Sequence, residues 1–467
     1  MFASIVTDLG FGDAGKGTTV DFLARQTAEA VVVRFNGGAQ AAHNVHTTDG
    51  RHHTFSQFGS GTLVPGTRTF LSRFVLFDPY ALMQEAAGLE ALGITNPLSL
   101  VTVDEAALTV TPFQKAANRV REILRGSGRH GSVGMGIGET MADMIAFPGQ
   151  AVYAHDLRDV RLLAAKLQKQ QALKFAEFES VLPDLKRRGL LPEELRVMTD
   201  PHAPMLIART MVSLMQSCTL GSLSTLRRLS AKHPLIFEGA QGILIDEWHG
   251  FHPYTTWSTT TNDNANTLLR ELHYEGFVAR YGVVRAYSTR HGPGPFPSEN
   301  TGLTAALPDS HNTFGVWQRD FRVGWLDLPL TRYAIAVSAG TDTLVLTHLD
   351  RFALLPQKKV VTHYQIPKRD LSLRELSAVV LDTTGPQVPG MCLITSFRPK
   401  SDLEDLTYQE MLGRILEKAT PVYADVVTTG EAYAEYLGGQ LALPVCITSY
   451  GKTAADKRTK KRLLLSA

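Results

Sequence analysis

A lysine and an aspartate share one glycine-rich turn near the start of the chain, in Gly10-Phe-Gly-Asp13-Ala-Gly15-Lys16-Gly17. Such glycines let backbone N–H groups face an anion, the following helix presents its positive end, and Lys16 adds a point charge. The turn therefore suits a phosphate chain. Its spacing nearly fits GxxxxGKS/T, but Gly17 stands where a metal-holding hydroxyl is expected. A carboxylate inside the loop, Asp13, can take over as a Mg²⁺ ligand beside a transferring phosphoryl group. The plainer reading is a strand-to-helix turn that needs glycine for geometry alone; a lysine and a carboxylate in the same turn weigh against it. Further on, Asn36-Gly-Gly-Ala-Gln-Ala-Ala-His43 puts a histidine beyond the next expected strand, where it suits a general acid. A structural histidine is the plainer alternative there.

The surrounding pattern says what must hold these groups. Residues 3–7 read as a short buried strand, 18–26 show helical spacing with Val20, Leu23 and Ala24 on one face, and 30–35 form a second apolar, β-branched run. Strand, glycine loop, helix and strand make a βαβ unit, so the expected class is α/β with a mostly parallel central sheet and a P-loop-like turn. Further core strands are expected at 234–238, 281–287, 343–347 and 443–448, and ligands gather beyond the carboxyl ends of such strands. Residues 156–228, rich in Leu, Ala, Lys and Gln, read as a helical insertion, and the basic tail 452–462 as a solvated face. Without internal repeats or low-complexity linkers, 1–467 reads as a single domain carrying that insertion.

Composition excludes several classes. With 44% hydrophobic and 20% charged residues, the chain has the profile of a globular protein with a sizeable core. Lys plus Arg number 47 against 45 Asp plus Glu, too even for a protein that binds nucleic acid by charge alone. Cys218, Cys392 and Cys446 are scattered and offer neither a zinc pattern nor a disulfide framework. No basic, cleavable leader opens the sequence, and no run approaches about 20 apolar residues. The expectation is a cytoplasmic protein that does not span a membrane.

GFGDAGKGTTVDFL followed by FNGGAQAAH resembles the signatures of the adenylosuccinate synthetase family. So do Phe237-Glu-Gly-Ala-Gln241-Gly, His252-Pro-Tyr-Thr-Thr256, the block from Arg285 to Pro297, Gly324-Trp-Leu-Asp327, Thr347-His-Leu-Asp350 and Thr448-Ser-Tyr-Gly451, in family order across nearly the whole chain. The resemblance implies a GTP-dependent C–N ligase that phosphorylates the 6-oxygen of IMP and lets the amine of aspartate displace the phosphate. Asp13 would take the N1 proton and ligate Mg²⁺ together with the Ala42 backbone carbonyl. Lys16 would neutralise phosphoryl oxygens and His43 would act as the acid. Gly12, Gly15, Lys16 and Gly17 would cradle GTP, with Asp350, Ser449 and Gly451 around guanine. Gln40, Gln241, Thr256 and Arg319, with Asp13, would meet the substrates. Members of the family are typically homodimers.

The substrate side departs from that pattern. Val133 and Met135 stand where a phosphate-binding threonine and an arginine are usual, and residues 145–149, around Phe147, lack the arginine that crosses to the partner. Arg319 and Arg322 are retained, whereas Trp317 and Phe321 fall on amino-acid contacts, and Gln40 replaces an asparagine. His348 stands in for a lysine in the guanine motif. Each lost charge-assisted bond to a phosphate is worth about 1.5–3 kcal/mol. Two enzymatic readings follow: the ligase acting on IMP and aspartate, or a diverged paralogue that activates another purine nucleotide or nucleoside or uses another amine. A GTP-binding regulatory switch is a third, distant reading.

Overall fold

Hydrophobic runs without alternation belong in strands covered on both faces, and the centre of this protein is built from them. The computed structural model describes residues 2–126, 134–308, 321–385, 387–426 and 429–460. Ten strands form its main sheet: β1 (Phe2–Asp8), β2 (Val31–Arg34), β3 (Arg68–Leu71), β4 (Val101–Asp104), β5 (Thr219–Gly221), β6 (Leu235–Glu238), β7 (Phe277–Arg285), β8 (Thr343–Thr347), β9 (Val445–Ser449) and β10 (Lys457–Thr459). They lie in the order β10-β9-β8-β7-β1-β6-β2-β3-β4-β5. Every neighbouring pair is parallel except β9 with β10. The expected α/β class with a mostly parallel sheet is the one found.

β1 sits in the middle, between β6 and β7. Val31, Val32 and Val33 of β2 are fully buried, each such side chain contributing about 1.5–3 kcal/mol. The chain leaves β1 through the glycine loop into α1 (Lys16–Gln26), which buries Val20, Leu23 and Ala24, then returns two places along the sheet as β2. Because chain order departs in both directions from β1, its carboxyl end opens a crevice, and the loop lies there.

Three regions differ from the reading of the sequence. His43 lies beyond β2 but opens a hairpin of its own, His43–His46 with His52–Phe55, that was not foreseen. A second, largely antiparallel sheet of Leu326–Asp327, Lys359–Pro367, Val379–Leu381, Met391–Phe397 and Thr420–Asp425 was not foreseen. The basic tail is only partly solvated: Lys457 is buried in edge strand β10, where its ammonium meets Thr18 and the Thr453 carbonyl. Residues 156–228 hold the helices Val160–Phe178, Leu182–Arg187, Pro192–Thr199 and Ala203–Met215, then β5 and the helix Leu223–Ser230. Cys392 and Cys446 are buried and Cys218 is half-buried.

Candidate active site

The loop after β1 folds around a carboxylate that spacing alone does not single out. Asp8, fully buried at the end of β1, accepts from Gly10 N at 2.8 Å and Ala14 N at 2.9 Å. It also pairs with Lys16 Nζ at 2.9 Å. The turn takes left-handed φ values at Gly12 (108°), Asp13 (60°) and Gly15 (92°). Gly15 caps α1 without a side-chain hydrogen bond, which leaves first-turn N–H groups available to an anion. From the far side the loop is held by Gly242, where a Cβ would lie 2.3 Å from Gly10 O and Gly12 N.

Close approach also explains the missing hydroxyl of the P-loop pattern. A Cβ on Gly17 would lie 2.7 Å from His43 Cβ and 3.0 Å from Ser60 Oγ. Glycine at 17 is what lets the histidine stand against the glycine loop. His43 Nδ1 meets Glu238 Oε1 at 2.6 Å, and Glu238 is fully buried at the end of β6. Glu238 also accepts from Ser60 N at 2.9 Å and from the Ser60 hydroxyl. Burial raises the Glu238 carboxyl, but the Arg34 charge, the His43 bond and Ser60 outweigh it and hold it at about 2. An ionised Glu238 requires a proton on Nδ1, so Nε2 is the nitrogen left for chemistry. Burial, with Arg34 and Lys16, holds His43 below the usual imidazole range against the pull of Glu238.

Asp13 lies across the same crevice, with its carboxylate about a third exposed. Its Oδ2 is 3.0 Å from His291 Nε2, and its carbonyl accepts from Arg285 at 3.1 Å. Burial raises its carboxyl; the His291 bond and the charges of His291, Lys16 and Arg285 reverse that and bring it down to about 2. Among the described residues no group of three or more His, Cys, Asp or Glu could hold a metal ion. One ionised carboxylate completed by nucleotide oxygens is a donor set that suits Mg²⁺.

One open cleft of about 1850 Å³ brings the sequence-selected residues together. Gly12, Asp13, Gly15, Lys16 and Gly17 line it, facing Ala42 and His43. At one end Asp350, Ser449 and Gly451 join the lining. Asp350 stands on the short helix Leu349–Ala353, and Ser449 Oγ donates to Gly451 O at 3.0 Å. Thr347 Oγ1 donates to Ala14 O at 2.6 Å, tying this end to the glycine loop. Burial pushes the neighbouring His348 well below the usual imidazole range, with Arg285 and Lys457 adding to the effect.

At the other end lie Gln40, Gln241 and Thr256. Gln241 Nε2 donates to Thr256 Oγ1 at 2.7 Å, while the buried Oε1 atoms of Gln40 and Gln241 have no protein partner. Met135 and Ile137 line this end beside Arg121, whose guanidinium is engaged by Glu139 at 2.7 Å. Ile145 and Phe147 are exposed. Arg322 is held by Glu299 at 2.8 Å and by the Gly292 and Gly294 carbonyls, so it acts as a brace for the wall. Arg319, Val133 and Trp317 lie outside the described residues. The sequence reading missed Asp8, Glu238 and His291. The first two end core strands with a carboxylate, a signal that could have drawn notice; His291 had none.

Comparison with known proteins finds relatives along nearly the whole chain. A family model described as adenylosuccinate synthetase matches residues 5–452. An adenylosuccinate synthetase of Halothermothrix orenii is 33% identical over 377 residues, covering 79% of this chain and 82% of that protein. One from Chlorobium chlorochromatii is 28% identical over 457 residues, 96% of this chain and 95% of the other. Among solved structures, the fully ligated adenylosuccinate synthetase of Plasmodium falciparum shares the fold with a TM-score of 0.76 at 19% identity, covering 98% and 99% of the two chains. A succinoaminodeoxyadenylate synthetase of cyanophage S-2L, bound to dGMP and dATP, aligns with a TM-score of 0.56 at 14% identity, covering 98% and 95%.

Proposed function

The chain belongs to the adenylosuccinate synthetase family, and from that premise we propose how its own residues divide the work of joining IMP to aspartate with GTP. The activity is that of a GTP-dependent C–N ligase. The γ-phosphoryl group passes to O6 as N1 gives up its proton. The aspartate amine then attacks C6 and phosphate leaves, so that GDP, phosphate and adenylosuccinate are formed.

The observation that supports this division is the convergence of Asp13, Lys16, His43 and Asp350 on one cleft at the carboxyl end of the central strands. Asp13, kept ionised by its neighbours, receives the N1 proton. Lys16 lies buried against Asp8, from where its charge serves the phosphoryl oxygens. His43 has Nδ1 committed to Glu238 and presents Nε2 to the transferring group. Glycine-loop N–H groups hold the phosphates, and positioning with charge stabilisation supplies most of the rate. Asp350 accepts from guanine N1–H and its 2-amino group, a pair of donors that adenine lacks, with Ser449 and Gly451 closing the base pocket. Gln40, Gln241 and Thr256 meet the purine nucleotide, and Arg319 meets the acidic amine. Mg²⁺ would be held by Asp13 and the Ala42 carbonyl, where it would neutralise charge on the phosphate oxygens.

Neither the paralogue nor the switch is favoured, since the family match runs through both ends of the cleft. We further propose a cytoplasmic homodimer; among the described residues no helix is long and apolar enough to cross a membrane. Phosphate release from GTP, with IMP and aspartate omitted in turn, tests the reaction. Release that requires both substrates, and that is abolished in Asp13→Ala, is the expected result. GTP turnover indifferent to every purine would overturn it.

A further inference from the structure

We infer that His291 is a positioning residue of this site, fixing the Asp13 carboxylate in the orientation in which it meets the purine. The inference rests on the function proposed above.

Three observations carry it. His291 Nε2 lies 3.0 Å from Asp13 Oδ2, inside the cleft that both residues line. The imidazole is itself held: His291 ends the strand Ser288–His291, which pairs antiparallel with Phe321–Gly324, and its ring packs against that of Phe321 with centroids 4.8 Å apart and planes tilted by 51°. Asp13, in contrast, needs holding. It is a non-glycine residue at φ 60°, following Gly12 at φ 108°.

The neighbouring cation does not orient this carboxylate, because the Lys16 ammonium is drawn to Asp8 at 2.9 Å. Arg285 restrains the Asp13 backbone, donating to its carbonyl at 3.1 Å. Carbonyl and carboxylate are thus fixed from the ends of two successive strands, β7 and Ser288–His291. A carboxylate offers about four acceptor positions, so one N–H from His291 leaves capacity for a substrate N–H and a metal ion. Partners that orient a reacting or metal-binding group in this way are commonly worth roughly 10- to 100-fold in activity.

The test compares His291→Ala, His291→Gln and His291→Phe in the IMP- and aspartate-dependent assay. Alanine should lower kcat roughly 10- to 100-fold, with KM for GTP little changed. Glutamine, whose amide nitrogen can reach the place of Nε2, should recover most of the loss; phenylalanine, which keeps only the packing on Phe321, should not. An alanine variant with wild-type kcat, or equal recovery by glutamine and phenylalanine, would overturn the inference. So would a loss confined to KM for GTP. A second readout needs no turnover: the imidazole nitrogen resonances of His291 in the ligand-free protein should move in Asp13→Asn, and unmoved resonances refute the contact. A wild-type protein that ignores IMP and aspartate defeats the proposed function, while the resonances still decide the Asp13–His291 pairing.

Discussion

Glu238→Gln isolates the carboxylate behind the histidine. In the native protein Glu238 Oε1 lies 2.6 Å from His43 Nδ1 and both side chains are buried, so the bond is charge-assisted and shielded from water. Glutamine keeps the shape and can still accept, but it removes the charge that fixes the Nδ1–H form of the imidazole. Hydrogen bonds to charged groups contribute about 1.5–3 kcal/mol, and 1.4 kcal/mol is tenfold in rate, so kcat should fall roughly 10- to 150-fold. The loss should run through His43. Measured as phosphate release with IMP and aspartate, the substitution should have little further effect once His43→Ala is in place, the non-additivity expected of residues that act as a unit. A Glu238→Gln enzyme within twofold of wild type, or an equal loss in both backgrounds, would refute the reasoning. Stability supplies a second check. Lowering this carboxyl from an ordinary 4.5 to about 2 corresponds to about 3 kcal/mol. Because the folded value is the depressed one, that stabilisation is present above pH 4.5 and is lost as pH falls toward 2. Denaturant unfolding across that window should show the drop in wild type and a reduced drop in the variant.

Other perturbations address the loop, the base pocket and the second sheet. Gly17→Ala would bring a Cβ within 2.7 Å of His43 Cβ; overpacking of this kind costs about 1–3 kcal/mol, so denaturant midpoints should fall, with kcat falling alongside as His43 is displaced. Asp350→Ala should raise KM for GTP roughly 10- to 150-fold, from the loss of about 1.5–3 kcal/mol of charged hydrogen bonding, and should erode the preference over ATP in a nucleotide panel. Asp327 is buried under the Tyr364 hydroxyl at 2.6 Å, and burial, partly offset by the Tyr364 and Leu330 bonds, pushes its carboxyl up to about 7. Its folded value is the raised one, so it disfavours folding increasingly as pH climbs from 3.8 to 7. Asp327→Asn should therefore be nearly neutral in stability at low pH and stabilising at pH 8, read from chemical denaturation at both.

The parts of this protein that sequence revealed are those whose geometry is local. One strand, one loop and one helix place Asp13 and Lys16, and the glycines between them are dictated by left-handed backbone at Gly12 and Gly15. The core strands announced themselves for a similar reason: a strand covered on both faces carries a nearly continuous apolar run, a signal contained in a few consecutive residues. Asp8, Glu238 and His291 work only through distant partners. Glu238 stands 195 residues from His43, and no spacing rule links them. The second sheet stayed hidden because its longest strand, Lys359–Pro367, mixes buried and half-buried positions, an irregular pattern that neither alternation nor a continuous apolar run describes.

The same distinction separates the two ends of the cleft. The end proposed for the nucleotide is assembled from the glycine loop, Thr347–Asp350 and Ser449–Gly451, joined where the Thr347 hydroxyl donates to the Ala14 carbonyl and where β9 pairs in parallel with β8 across one register shift. Backbone geometry tolerates few substitutions, and a motif persists there. The end proposed for the purine and amine is gathered from Gln40, from Met135 and Ile137 before and within the helix Ile137–Ala146, and from the Gln241–Thr256 segment. These are side-chain contacts projected from separate elements, and each can change without disturbing the sheet. The departures from the family pattern read at Val133, Met135 and residues 145–149 therefore weaken the motif there while leaving the central sheet and its glycine loop unchanged. The chain can remain within its family and keep Asp13, Lys16 and His43 in place while the residues proposed to meet the substrates differ from the family pattern, because the two sets of residues answer to different constraints.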